Sequence, residues 1–154
     1  MPRFGYSILG LDPDKTAIAS GREMDISHKH AREICKEIKG KNLDKAKEYL
    51  EEVGKLKKSV PFRRHHKKVG HRSDLTGWHT GRYPEKAAKK ILEILESVEK
   101  NAEYKGLQVD KLKIIHASGY PGRKLKRIFY RAFRTSSPKV NTLTHVEIAV
   151  EEMN

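Results

Sequence analysis

Residues 111–151 of the chain read KLKIIHASGYPGRKLKRIFYRAFRTSSPKVNTLTHVEIAVE, and this stretch decides the fold. The sequence has a period of two in residues 111–117 and again in residues 140–151, which is typical of half-buried strands. Between them lies a basic segment, residues 118–140, in which no helical period fits. We therefore expect one extended β-hairpin with an apolar body end and a basic distal end. About ten residues in each arm would project by about 30 Å.

Three amphipathic helices are predicted upstream of the hairpin, because apolar residues recur there at spacings of three and four. The first helix follows Ser27 as its N-cap, the second follows Asn42, and the third begins with Pro84 at its first position. Glycines mark the ends of the three helices: Gly40, Gly54 and Gly106.

A short strand is expected over residues 15–20, and the apolar faces of the helices and strands are expected to share one core. Cys35 lies on the apolar face of the first helix and is expected to be a buried thiol. As the single cysteine of the chain, it excludes an internal disulfide and a cysteine-based zinc site. The predicted core contains Ile34, Ile38, Leu50, Ile91, Leu95, Val98, Val146 and Ile148.

The charge is concentrated in two places. The chain of 154 residues has 33 Lys and Arg against 20 Asp and Glu, a net charge of +13. Residues 55–82 hold nine Lys and Arg against Asp74 alone, and residues 120–139 hold seven and no acid, so the remainder carries a charge of −2. A nearly neutral domain with two basic segments indicates a polyanionic partner.

The composition of both segments favours RNA as that partner. Arginines alternate with aromatic rings in the hairpin, and arginine forks and exposed rings suit phosphates and unstacked bases. Residues 55–83 show no period and are expected to form a long basic loop containing four of the eight histidines. The candidate RNA-binding residues are Arg63, Arg64, His65, His66, Lys67, Lys68, Arg72, Trp78, Arg82, Arg123, Lys124, Lys126, Arg127, Arg131, Arg134 and Lys139.

Other classes of function find little support in the sequence. The glycines match no nucleotide-binding loop, and the basic segments hold only one acid, whereas a metal-dependent nuclease needs several. The loop histidines lie among lysines and arginines that would repel a metal cation, so no metal site is expected. No cofactor and no catalytic residue are expected either. No apolar run approaches the roughly 18 residues of a membrane span, and residues 1–10 show no signal-peptide pattern.

Five blocks of sequence, taken in this order and spacing, resemble a known family. They are SHKHAREICKEIKGK (27–41), VPFRRHHKKVGH (60–71), GWHTGRYPEKAA (77–88), NAEYKGLQVDKL (101–112) and KRIFYRAFRTSSP (126–138). Together they are similar to the L-twenty-two family of large-ribosomal-subunit proteins in its archaeal and eukaryotic form, and the resemblance covers nearly the whole chain.

The resemblance implies an α+β fold in which three helices pack on a small three-stranded antiparallel sheet with a long protruding β-hairpin. It implies a single domain over residues 1–154, with residues 55–83 as an insertion where bacterial members have a much shorter connection. It also implies a cytoplasmic protein of the large subunit that contacts ribosomal RNA, neighbouring proteins including the L-four protein, and the nascent polypeptide. The residues that would line the exit tunnel are Phe129, Tyr130, Arg131, Ala132, Phe133 and Arg134.

Two functions from different classes remain open at this point. One is a structural, RNA-binding constituent of the large ribosomal subunit. The other is a free-standing RNA-binding or annealing factor, which the composition alone would permit.

Overall fold

The computed structural model describes residues 5–153, and the expected α+β fold is confirmed. Residues 1–4 and 154 of the expected single domain lie outside the described residues. In chain order the elements are β1 (Thr16–Met24), α1 (His28–Ile38), α2 (Leu43–Gly54), β2 (Val60–Pro61), β3 (Gly81–Arg82), α3 (Glu85–Tyr104), β4 (Leu112–Tyr130) and β5 (Ser136–Glu152).

The main sheet is antiparallel and has the strand order β1-β5-β4. Its middle strand is β5, in which Val146 and Ile148 face the helices as predicted. The prediction that the other face of this strand is exposed is wrong at Glu147 and Ala149, which are buried. Both neighbours of a middle strand restrict its access to solvent, and Ser7 from the N-terminal segment contacts Glu147 directly.

The helices pack on one face of this sheet, α1 against β4 and α3 against β1 and α2. Ser27 and Asn42 occupy the N-cap positions as predicted, whereas α3 begins one residue later than expected, with Pro84 as its cap. The ψ of 63° at Pro84 is not helical, which is why the helix starts at Glu85. All eight predicted core residues are buried.

Cys35 is also buried as predicted, and burial raises the pKa of its thiol to about 12. A thiol with such a pKa is protonated at neutral pH and acts as a small apolar side chain of the core.

The hairpin extends beyond the body because β1 is shorter than its neighbours. Pairing between β1 and β5 ends at Met24 and Thr144, while β4 and β5 remain paired as far as Tyr130 and Ser136. Seven pairs, from Lys124–Thr142 to Tyr130–Ser136, form a two-stranded ribbon beyond β1, and Asn141 near its base donates a hydrogen bond to Asp25 at 2.9 Å. At roughly 3.3 Å per residue the ribbon is about 23 Å long, somewhat shorter than the expected arm.

Residues 55–83 are more ordered than a loop without regular structure. Their two ends pair as β2 and β3, and Val60 and Phe62 are buried in the main core. Strands of two residues are too short to produce a detectable period, so the sequence pattern missed them. What remains irregular is the stretch between these two strands.

Candidate nucleic-acid interface

The distal end of the hairpin presents apolar and cationic side chains to solvent. Phe133 is 97% exposed and Tyr130 82% exposed, and Ile128 and Phe129 are exposed beside them. The turn closes through a hydrogen bond from the Arg131 N–H to the Thr135 carbonyl at 2.9 Å. Exposed rings of this kind offer π-faces to partners that the isolated chain does not contain.

Phe133 and Arg134 in this turn have left-handed backbones, with φ of 56° and 55°. This region costs a non-glycine residue on the order of 1–2 kcal/mol, and glycine would avoid most of that cost. The turn therefore carries two large side chains at positions whose backbone conformation favours glycine.

The two arms of the ribbon bring like charges together. Arg127 lies directly opposite Lys139 in the ladder, a cross-strand pair that is destabilising in isolation. The Nε of Arg131 donates to the Ser137 hydroxyl at 2.8 Å, which orients the guanidinium without neutralising it. Residues 120–139 contain no carboxylate, so an external anion is the natural counter-charge.

The second basic surface is built around Phe62, which is 1% exposed. The Phe62 N–H donates to the Thr80 carbonyl at 2.9 Å, and Trp78 Nε1 donates to the Phe62 carbonyl at 3.0 Å. Asp74, the single acid of this segment, accepts hydrogen bonds from the backbone and hydroxyl of Ser59. Burial raises the pKa of Asp74, but these hydrogen bonds outweigh it and hold the pKa below its usual value.

A buried carboxylate on α1 anchors the basic turn that follows Phe62. Glu33 is 2% exposed and accepts three consecutive backbone N–H groups, from Arg63 at 3.1 Å and from Arg64 and His65 at 3.0 Å. Three convergent N–H groups form an anion-binding nest, which here holds an internal anion. The backbone is thus drawn toward α1, and the side chains of Arg63 and Arg64 are exposed to solvent.

Rings and cations of this segment lie together on one side. Trp78 stacks on His79 with ring centroids 5.2 Å apart and meets His66 edge-on at 6.1 Å. The guanidinium of Arg63 lies 6.0 Å from the Trp78 ring centroid. In the described range 5–153, no group of three or more His, Cys, Asp or Glu residues is arranged to hold a metal ion.

The first turn of α1 lies between the two basic segments. Gly119 of β4 packs so closely on this turn that an added Cβ would lie 3.3 Å from the backbone nitrogen of Arg32. Burial lowers the pKa of His28, and the charges of Lys29 and then of Lys124 on the hairpin lower it further. Burial also lowers the pKa of His30, with Arg82 and His65 of the second segment adding to the shift.

The structure therefore places the predicted RNA-binding residues in two groups, and a member of each lies near this turn, Lys124 toward His28 and Arg82 toward His30. Nine lie in residues 63–82 and seven on the hairpin, and all are exposed except His65 and Trp78, which are partly buried. His28, Lys29 and His30 were not predicted as part of the interface. The run His28-Lys29-His30 at a helix start was the available signal, but it is too short to mark a basic segment by itself.

Comparison with known proteins identifies the family of this chain. The model of the family described as Ribosomal protein L22p/L17e matches residues 19–151. A protein of Archaeoglobus fulgidus, named large ribosomal subunit protein uL22, is 48% identical over 98% of this chain and 97% of its own length. Proteins of the same name from Methanocaldococcus jannaschii and Cenarchaeum symbiosum are 51% and 49% identical, each over 99% of this chain and over 97% and 99% of their own lengths.

Three helices on a short antiparallel sheet, with a basic hairpin that extends beyond the body, define a small α+β protein with two exposed basic surfaces. The chain belongs to the L22p/L17e family of ribosomal proteins, which are structural and not enzymatic. No helix within residues 5–153 is long and apolar enough to cross a membrane.

Proposed function

We propose that this protein is a structural constituent of the large ribosomal subunit in the cytoplasm and binds ribosomal RNA through its two basic segments. The observation that carries the proposal is the pair of exposed basic surfaces formed by residues 63–82 and by the hairpin, in which Asp74 is the single carboxylate. The relatives are named as large-ribosomal-subunit proteins, which supports the location in the large subunit. By resemblance, residues 55–83 are the insertion specific to archaeal and eukaryotic members.

The hairpin supports a role that depends on a partner. A two-stranded ribbon is marginally stable in water, and this ribbon also carries an opposed Arg127–Lys139 pair. Contacts with RNA phosphates would neutralise that pair and hold the ribbon in place.

The tip residues Phe129–Arg134 are proposed to line the polypeptide exit tunnel beside the L-four protein and to face the nascent chain. The exposed rings of Phe129, Tyr130 and Phe133 would narrow the tunnel. Arg131 and Arg134 would place positive charge on its wall. The left-handed backbone at Phe133 and Arg134 supports this role, because it presents large side chains at a cost to the turn.

Sedimentation distinguishes a ribosomal constituent from a free-standing RNA-binding factor. Cells that express the tagged protein are lysed, and large subunits are separated by centrifugation after a moderate-salt wash. A constituent remains with the large subunits at about one copy each. A protein found mainly at the top of the gradient, or bound equally to any added RNA, would support the free-standing factor.

Deletion of residues 126–135, closed by an Asn-Gly turn, tests the tunnel role. We expect the shortened protein to enter large subunits, because the core residues lie outside the deletion. Nascent chains that stall at the tunnel constriction should then stall less in ribosome profiling, while bulk synthesis continues. The variant R131Q/R134Q serves as a comparison that removes charge and keeps the rings. Unchanged stalling in subunits that contain the shortened protein would contradict a tunnel role for the tip.

A further inference from the structure

A cationic pocket opens where the first turn of α1 faces the basic turn after Phe62. Its floor is the buried ring of Phe62, and His30 meets that ring edge-on with centroids 5.3 Å apart. The side chains that line it are Lys29, His30, Phe62, Arg64, His65, Lys67, Val69 and Arg82. The lining thus holds four Lys or Arg residues and two histidines but no carboxylate.

The carboxylate of Glu33 offsets only part of the positive charge of the pocket, since the pKa of His65 stays lowered despite it. Both oxygens of Glu33 are occupied by the N–H groups of Arg63, Arg64 and His65. Lys29, Arg64, Lys67 and Arg82 form no ion pair among residues 5–153. Four unpaired cations around one opening create a positive potential that favours an anion of compact shape.

We propose that this pocket binds a backbone phosphate of RNA and that Glu33 is the positioning residue that assembles it. This inference rests on the proposed RNA-binding function and adds Lys29 and His30 of α1 to the interface. Glu33 fixes the backbone of Arg64 and His65, whose side chains line the pocket together with Lys29 and Arg82.

The pocket histidines provide a direct signal of binding. Burial and neighbouring cations hold the pKa of His30 below its usual value; burial also lowers that of His65, where Glu33 partly opposes the shift. A phosphate in the pocket favours the protonated imidazole, so binding should raise both pKa values. The other charged groups near His30 are Asp25, Glu85 and Lys86, and each carboxylate of this group is already paired with a lysine.

The first test removes charge from the pocket without touching the fold. K29Q/K67Q alters two exposed side chains, and K36Q/K45Q is a control with the same net charge at exposed positions on α1 and α2 that line no part of this pocket. RNA affinity is measured against salt with a fragment of large-subunit RNA. We expect the pocket variant to lose about tenfold in affinity and one to two units of salt slope. The control should lose clearly less.

The second test separates positioning from simple electrostatics. E33Q raises the net charge by one, so electrostatics alone predicts tighter RNA binding. Release of the basic turn predicts weaker binding instead, by about three- to tenfold. E96Q, an exposed position on α3 without an ion pair in the described chain, is the matched control and should not weaken binding. Because Glu33 is buried, circular dichroism and thermal unfolding of E33Q establish that the body is folded before binding is compared.

Nuclear magnetic resonance identifies the anion in the pocket. Titration of the wild-type protein with inorganic phosphate should shift the imidazole signals of His30 and His65 to a saturating value. The RNA fragment should produce the same shifts and displace the phosphate. If the wild type binds with a steep salt slope but the pocket variant and its control lose the same affinity, the proposed phosphate pocket is overturned. The RNA-binding function of the protein would then stand. A wild-type slope near zero overturns the RNA-binding function itself. Phosphate that RNA does not displace also overturns the proposal, since the pocket would then serve a small anion.

Discussion

Glu147 shows how one buried carboxylate ties the N-terminal segment to the sheet. It is 3% exposed and accepts hydrogen bonds from the Ser7 backbone at 2.9 Å and the Ser7 hydroxyl at 2.7 Å, with Arg22 at 3.0 Å. Burial raises the pKa of Glu147, but these hydrogen bonds and the Arg22 charge outweigh it and hold the pKa below the usual 4.5. The charged form therefore stabilises the fold above that usual value, and this contribution is lost as the pH falls through the lowered pKa.

We expect E147Q to lower the free energy of unfolding at pH 7 by about 1–3 kcal/mol, because it leaves charged and polar partners unsatisfied. The difference from the wild type should shrink as the pH falls below 4.5 and through the lowered pKa of Glu147, where the wild-type carboxyl also becomes neutral. Urea denaturation at each pH measures the free energy of unfolding of both proteins. E96Q is an exposed control that should change this free energy little. An E147Q effect that stays the same size from pH 7 down to the acid end of the folded range would contradict the assignment.

Neither Glu147 nor Glu33 could have been predicted as a buried anchor from the sequence. Their hydrogen-bond partners lie 140 and about 30 residues away along the chain. Both positions also fit a solvated polar face in the local pattern. Cys35 and Ile34 were predicted correctly because their burial follows from the helical period of α1 alone.

At the scale of elements, the hairpin should show a gradient of order in the RNA-free protein. The amides of Leu112–Gly119 lie in the three-stranded part of the sheet, on which the helices pack. Those of Lys124–Thr135 lie in the ribbon and its turn. We expect hydrogen exchange to be slow in the body and fast in the ribbon. Protection of the tip as strong as that of α3, without RNA, would contradict a hairpin that depends on its partner.

Hydrogen exchange should also differ from one part of residues 55–83 to another. Val60, Phe62 and the Thr80–Arg82 stretch are anchored in the core or paired, and we expect them to be protected. Residues between them should exchange faster. The sequence pattern predicted the whole segment as a loop, because pairs of two residues and a single buried ring leave no periodic trace. It predicted the hairpin and all three helices, since those extend over many residues of one period.

At the scale of the whole molecule, charge governs the affinity for RNA. The two basic segments contain sixteen Lys and Arg. If about half of them neutralise phosphates, log K should fall against log salt with a slope of about −5 to −7. The slope is obtained from binding of a large-subunit RNA fragment between low and moderate salt. A slope near zero would show that phosphates do not drive binding.

The spatial union of the two basic segments is a property of the fold and could not be predicted from the sequence. The charge distribution along the chain located both segments, but more than thirty residues separate them in sequence. Packing of β4 against α1 brings them to the same turn, where His28 is close to Lys124 and His30 to Arg82.

A map of RNA–protein crosslinks at single-residue resolution, made on intact large subunits, tests the central claim most directly. We predict crosslinks in three regions: residues 28–30, residues 63–82, and the hairpin from Arg123 to Lys139. The exposed face of α3 should yield few, because Glu85, Glu93 and neighbouring lysines pair with one another there. Crosslinks confined to α3, with none on the hairpin or on residues 63–82, would contradict the account.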